Sequence, residues 1–395
     1  MKPLSDMSGR VPVSGIRKLI DFANAMSDVI HLEVGEPDFA TPLPIVESSF
    51  DATRRGATRY TATLGTLAIR KSTADRVRRL YGMSVTADQI AVVPAATTAL
   101  ALALLTLSDP GDEILGPDPG WPTYTSMIAL TGATMVRYPL SRATGFLPDV
   151  AQLRSQVTSL TKVLLLNNPG NPAGCVFPRS LIAQIMEFAT ERDLYVISDE
   201  IYEALTFDDV FVPAAAFDRD GRVITVSGWS KTWAMTGWRL GYSVASAALT
   251  SRMAPLAAAL YSCPSAIAQS AGLAALDLPD EQIVAMRDSY RERRDLVVSM
   301  LQPAGLLAAV PRGAFYALVD LSANGTDTYA TAHALLERER VATVPGEAFG
   351  EQAAGMVRIS FATNRDDLLE GLRRIIRFAA AITRDERRAG AARPA

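Results

Sequence analysis

Between residues 84 and 246, short apolar runs rich in β-branched residues alternate with longer stretches of helical periodicity. The strand candidates are Ile90–Val93, Glu113–Leu115, Met135–Tyr138, Val163–Leu166, Tyr195–Ser198, Val223–Val226 and Leu240–Val244. Helical spacing falls between them, as in Thr98–Leu107 and Arg179–Arg192. Such alternation predicts an α/β fold in which a mostly parallel sheet is covered by helices on both faces. Upstream, Ile16–Ala25 predicts a short helix with Ile16, Leu19, Ile20 and Phe22 inward, and Leu67–Tyr81 an amphipathic helix ended by Gly82. Past about residue 285 the pattern turns charged and helical through Arg287–Leu301. Pro311–Tyr316 and Val357–Phe361 then read as strands and Leu368–Ile382 as the last helix. The expected organisation is a large domain over 46–284 and a smaller α+β domain that joins residues 1–45 to 285–395. The first ten residues and Arg384–Ala395 are expected to be weakly ordered.

The length of 395 residues exceeds one small domain, which agrees with two lobes. Apolar residues make up 49% and charged ones 21%, as in an ordinary globular enzyme. The net charge of -3, with acids and bases interspersed, offers no basic stripe for nucleic acid or an anionic membrane. Two cysteines, Cys175 and Cys263, cannot build a disulfide framework, and two histidines, His31 and His333, leave no histidine-rich metal site. The longest apolar candidate, Ala99–Leu107, is cut off by Ser108-Asp109-Pro110-Gly111, and no signal-peptide core opens the chain. The expectation is a cytoplasmic protein without a membrane segment.

Ligands of open α/β sheets bind beyond the carboxyl ends of the strands, and most of the unusual polar residues fall there. Lys231, after Val223–Val226, can leave water, and a desolvated amine is neutral and nucleophilic. Arg239, Ser230 and Ser227 could grip a phosphate near it. Ala96 and Thr97 open a helix whose free amides suit a phosphate, although on these residues alone an ordinary threonine cap is the better reading. Trp121 places an indole after another strand, to stack on a ligand ring or pack in the core. The Asn167–Gly174 loop is punctuated by Gly and Pro, and on that ground alone is only a turn. Asp199 and Tyr202 follow the next strand, where an acid is usually just solvated. An aldehyde-binding lysine beside a phosphate grip suggests pyridoxal 5'-phosphate (PLP).

The spelling Ser-Lys-Thr-x-Ala-Met-Thr-Gly-Trp-Arg-Leu-Gly-Tyr from Ser230 resembles the PLP-lysine segment of the class I/II aminotransferases, fold-type I enzymes of the aspartate aminotransferase kind. Gly35-Glu36-Pro37-Asp38-Phe39, Tyr60 with Gly65, Asn168-Pro169-Gly170-Asn171-Pro172-Ala173-Gly174 and Asp199-Glu200-Ile201-Tyr202 resemble further motifs of that family, in family order. The resemblance implies a Schiff base between Lys231 and PLP, with Lys231 also the acid–base. It implies Asp199 on the pyridine nitrogen, Asn171 and Tyr202 on the phenolic oxygen, and Trp121 against the ring. The phosphate would be held by Ala96, Thr97, Ser230, Arg239 and, across a homodimer, Tyr60. Gly35, Asn171 and Arg358 would hold the substrate carboxylate. The implied activity is ping-pong transfer of an amino group between an L-amino acid and a 2-oxo acid in amino-acid metabolism. Three departures stand out. Ala95 replaces a usual glycine, so a positive φ there would be strained. Gly228 replaces a usual serine, for which Ser227 is the expected substitute. Thr97 stands where many aspartate-using relatives have lysine, which disfavours a dedicated aspartate enzyme. The same scaffold also supports C–S β-elimination, other biosynthetic PLP steps, and PLP-sensing regulators. The stretch before Gly35 is too short for a regulator's DNA-binding module.

Overall fold

The computed structural model describes residues 15–325 and 327–391, with residues 2–5, 7, 9 and 11. Of the termini expected to be weakly ordered, residues 1, 6, 8, 10 and 392–395 lie outside the described residues. A short β1 (Ile30–His31) comes first. It is followed by β2 (Ile90–Val93), β3 (Glu113–Asp118), β4 (Thr134–Pro139), β5 (Thr161–Asn167), β6 (Tyr195–Asp199), β7 (Val223–Gly228) and β8 (Gly241–Val244). The last seven make one sheet in the order β2-β8-β7-β6-β5-β3-β4. Only β8 opposes its neighbours; the other pairings are parallel.

The period of two is visible in the packing. On β5, Val163 and Leu165 join a cluster with Leu104 and Ile128, whereas Leu164 and Leu166 join one with Ile185 and Phe188. Helices Ala96–Leu107 and Arg179–Glu191 thus cover opposite faces, which is why the strands read as continuous apolar runs. Chain order turns back at β3, which lies between β4 and β5, so the carboxyl ends of β3 and β5 open a crevice.

A second sheet, β9 (Tyr316–Asp320), β10 (Val341–Ala342), β11 (Val344–Pro345) and β12 (Met356–Ser360), is in two parts. Three strands pair antiparallel as β11-β12-β9, and β10 pairs parallel with β1. The amino-terminal Leu19, Ala23, Ile30 and Leu32 therefore share a core with Tyr290, Leu335, Val357 and Ile375.

Some boundaries differ from expectation. β9 starts at Tyr316 because the preceding loop is clasped elsewhere: the Arg312 and Gly313 amides donate to Gly174 O at 2.8 and 3.0 Å. Phe22 is 38% exposed rather than inward, and stacks on the His333 ring at 5.0 Å. The last helix runs Arg365–Ala391, past Ile382. No helix among the described residues is long and apolar enough to cross a membrane.

Candidate active site

A cleft of about 950 Å³ lies at the carboxyl ends of the large sheet, against the smaller one. Its lining includes Gly35, Ala96, Thr97, Trp121, Asn171, Asp199, Tyr202, Ser230, Lys231, Arg239 and Arg358.

Lys231 sits in one helical turn, Trp229–Thr232, directly after β7. Burial lowers its amine to about 8, opposed by Glu36 and assisted by Arg358 and Arg239. Nζ donates to Gly35 O at 2.6 Å. Gly35 must lack a side chain, because a Cβ there would come within 2.5 Å of the Tyr316 hydroxyl.

Asp199 ends β6, and burial raises it to about 6. The Tyr124 hydroxyl donates to Oδ2 at 2.6 Å and pulls the other way. Tyr124 also meets the Trp121 ring edge-on, with centroids 5.5 Å apart. Sequence reasoning missed Tyr124, although it stands three residues after Trp121 at a helix start.

Arg358, on β12, is buried among aromatic rings, its guanidinium 4.4 Å from the Tyr316 centroid and 5.1 Å from that of Phe349. It donates to Glu33 O at 2.5 Å and to Asn171 Oδ1 at 3.3 Å, while Nε is buried without a partner. Burial lowers its pKa against the pull of Tyr316, Tyr202 and Glu33. Asn167, also missed as a site residue, accepts from the Asn171 amide at 2.8 Å and donates to Asp199 O at 3.1 Å. Tyr202 meets a further missed residue, Tyr316, hydroxyl to hydroxyl at 2.9 Å. Burial raises both phenols.

Ala95 caps the helix Ala96–Leu107 at φ +76° and ψ 156°, in the strained region anticipated for it. The first amides of that helix have no intrahelical acceptor and open onto the cleft. Gly241 packs its Cα directly on this turn; a Cβ would collide with Ala95 C and Ala96 N. Ser230 and the exposed Arg239 face the same cleft.

Two expected residues stand apart from this cleft. Ser227 is absent from its lining and shares a separate small pocket with Thr225, Glu203 and Tyr242. The cause is strand length: β7 continues to Gly228, and alternation turns Thr225 and Ser227 to one side. Gly228 itself is extended at φ 175° and unstrained. Tyr60 is 90% exposed on its own chain.

The sequence matches the family model described as Aminotransferase class I and II over residues 27–375. The chain belongs to this family. The putative aminotransferase YugH of Bacillus subtilis is 37% identical over 377 residues, covering 95% of this chain and 98% of the relative. The arginine–pyruvate transaminase AruH of Pseudomonas aeruginosa is 37% identical over 358 residues, covering 90% and 91%. The solved aspartate aminotransferase of Thermus thermophilus with maleate superposes with a TM-score of 0.91 at 34% identity, covering 96% of this chain and all (100%) of that one.

As a class I/II aminotransferase, the protein catalyses amino-group transfer, chemistry that in this family depends on PLP. The residues present fit that group. The unpaired helix amides under Ala95 suit a phosphate, the desolvated amine of Lys231 suits an aldehyde, and buried Asp199 suits a cationic ring nitrogen.

Proposed function

We propose that this aminotransferase binds PLP through Lys231 and moves an amino group between an L-amino acid and a 2-oxo acid in a ping-pong cycle. The observation that carries this is one amine, held near pKa 8 by burial, in a cleft with a buried acid and a buried arginine. Bound there, PLP supplies an aldehyde to join the amine and a cationic ring to accept the electrons released at Cα.

The residues divide the work. Ala96 and Thr97 amides, Ser230 and Arg239 hold the phosphate from one chain. Trp121 would stack against the ring, and Asp199, oriented by Tyr124, would keep the ring nitrogen protonated. Asn171 and Tyr202 donate to the phenolic oxygen. Arg358 and the Gly35 amide hold the substrate α-carboxylate. Lys231 Nζ takes the proton from Cα and returns it on the other side of the transfer. Ser227 has no part in this set, given its position.

The same proposal includes the division into a large domain, 46–284, and a small one built from 1–45 and 285–395. It includes a homodimer in which Tyr60 reaches the partner's phosphate site, and a cytoplasmic location consistent with two free cysteines. The donor is not chosen by family membership, because relatives include aspartate and arginine–pyruvate enzymes.

To test it, the protein is incubated with PLP, reduced with borohydride and peptide-mapped. A pyridoxyl group on residue 231, with 2-oxo acid released while the amino group stays on the cofactor, is expected. Lys231→Ala should give neither. Ammonia with pyruvate as the product would replace transfer by elimination, and an unlabelled, fully active Lys231→Ala would remove the assignment.

A further inference from the structure

Arg358 carries its charge into a nearly dry place. It is 7% exposed and borders the cleft from β12. Its Nη1 and Nη2 donate to neutral oxygens, Asn171 Oδ1 and Glu33 O, and its Nε is buried without a partner. Neither bond is an ion pair, and a buried guanidinium without a counter-charge is costly. Burial lowers its pKa against the pull of Tyr316, Tyr202 and Glu33, and of these three only Glu33 is a carboxylate.

Glu33 is held where it can act on that charge. It follows β1, and Leu32 before it is fastened on both sides. The Leu32 amide donates to Ala342 O at 3.1 Å, and Leu32 O accepts from the Ser360 amide at 2.6 Å, so Glu33 cannot drift from β12. The residue is 3% exposed. Its Oε1 meets His31 Nδ1 at 2.7 Å, and its Oε2 is buried with no partner. A carboxylate this deep is out of a ligand's reach. It acts on the site through the field it sets at Arg358.

We propose that Glu33 is the resident counter-charge of Arg358: it steadies the guanidinium in the empty cleft and weakens its grip on a bound α-carboxylate, which favours release of the 2-oxo acid. Glu33 is thus a positioning residue, and His31 keeps its carboxylate from turning into direct contact with Arg358. When a substrate carboxylate arrives, two anions share one cation, and their repulsion lowers affinity. The inference rests on the aminotransferase reading and on Arg358 as the carboxylate grip.

The experiment is a single half-reaction on PLP-loaded protein. Release of 2-oxo acid in one turnover is followed against the concentration of L-alanine, L-norleucine, L-phenylalanine, L-arginine and L-glutamate. Glu33→Gln keeps the shape and the backbone carbonyl and removes the charge. For every donor that the wild type converts, it should lower the half-saturating concentration by about three- to tenfold, with no rise in the maximal rate. A merely structural role has the opposite sign, because a disturbed Arg358 binds more loosely. Norleucinamide, which lacks the α-carboxylate, is the control, and its inhibition constant against a converted donor should not fall. His31→Ala, at a side chain 39% exposed, frees the carboxylate to turn to Arg358. It should raise half-saturation by about threefold, and should do nothing when added to Glu33→Gln. Half-saturation that stays or rises in Glu33→Gln overturns the inference, as does equal tightening of norleucinamide. If Glu33→Gln does not fold, His31→Ala decides, and half-saturation that stays or falls in it overturns the inference. Conversion of donors with the wrong sign in the variants leaves the aminotransferase reading standing. A wild type that converts no donor sinks both.

Discussion

Lys231 and Asp199 are pushed in opposite directions by the same cause. Burial penalises a charge, so it lowers the amine to about 8 and raises the acid to about 6. The amine is therefore neutral above about pH 8, well below the range of a surface lysine. The rate at which apo protein captures PLP, scored as borohydride-trapped pyridoxyl on residue 231, should rise through about pH 8 and then level off. A rate still climbing at about pH 10, where free lysine titrates, would rule out a desolvated amine. Stability follows the same sign. Between about 8 and the ordinary lysine value the unfolded chain holds a proton that the native amine lacks, so stability increases with pH across that window. Asp199 is moderated by Tyr124, whose hydroxyl favours the anion. Tyr124→Phe should push Asp199 further above 6 and weaken PLP binding by about tenfold, most at the acid end of a titration from about pH 6 to 8. An unmoved affinity and pH profile would reduce Tyr124 to packing.

At the scale of elements, the turn before the helix Ala96–Leu107 is a strained cradle. Ala95 at φ +76° and ψ 156° occupies a region that costs a residue with a Cβ about 1–3 kcal/mol. Ala95→Gly removes that cost and adds about 0.5–1 kcal/mol of chain entropy, so a net gain of about 1 kcal/mol is expected in denaturant melts. Gly241→Ala should do the reverse, displacing Ala95 and Ala96 and lowering PLP affinity together with stability. Equal melts for the parent and Ala95→Gly would mean that the turn is relaxed. This cradle was legible in the sequence, because strand, break and helix start follow one another locally and an alanine there was recognisable as a liability. The large-sheet strands were legible for the same local reason: a run buried on both faces, as in β2 and the Val163–Leu166 stretch of β5, reads as continuously apolar. Ser227 was misplaced by a strand end set two residues early, which hid its side of the sheet. Tyr124 and Tyr316 could not be read, because their meaning lies in partners 75 and 114 positions away.

At the scale of the whole molecule, one expected site residue, Tyr60, is proposed to act across a second chain. Tyr60 is 90% exposed, yet its loop is fastened: Gln269 donates to Thr61 Oγ1 at 2.9 Å and accepts from the Thr66 amide at 2.8 Å. A fixed loop that holds a phenol out into solvent is arranged to meet something. Around it, the helices Leu43–Arg54 and Leu67–Tyr81 pack on Ala266–Asp277 and leave Leu43, Phe50 and Leu67 more than half exposed, at 65%, 63% and 56%. Apolar side chains clustered on neighbouring elements favour a protein interface. The proposed homodimer then gives each active site Lys231 from one protomer and Tyr60 from its partner. Lys231→Ala homodimers should be inactive, and Tyr60→Phe homodimers should bind PLP about tenfold more weakly. Mixed dimers of the two variants rebuild one intact site, with Tyr60 supplied by the Lys231→Ala chain and Lys231 by the Tyr60→Phe chain. Unfolding and refolding the two together, at limiting PLP, should therefore restore a tight-binding, active fraction that neither variant shows alone. The cofactor titration of the mixture should break into a tight and a silent class. A mixture that behaves as the plain average of its parents, or a protein that sediments as a monomer at assay concentration, would confine Tyr60 to its own chain and remove it from the phosphate site.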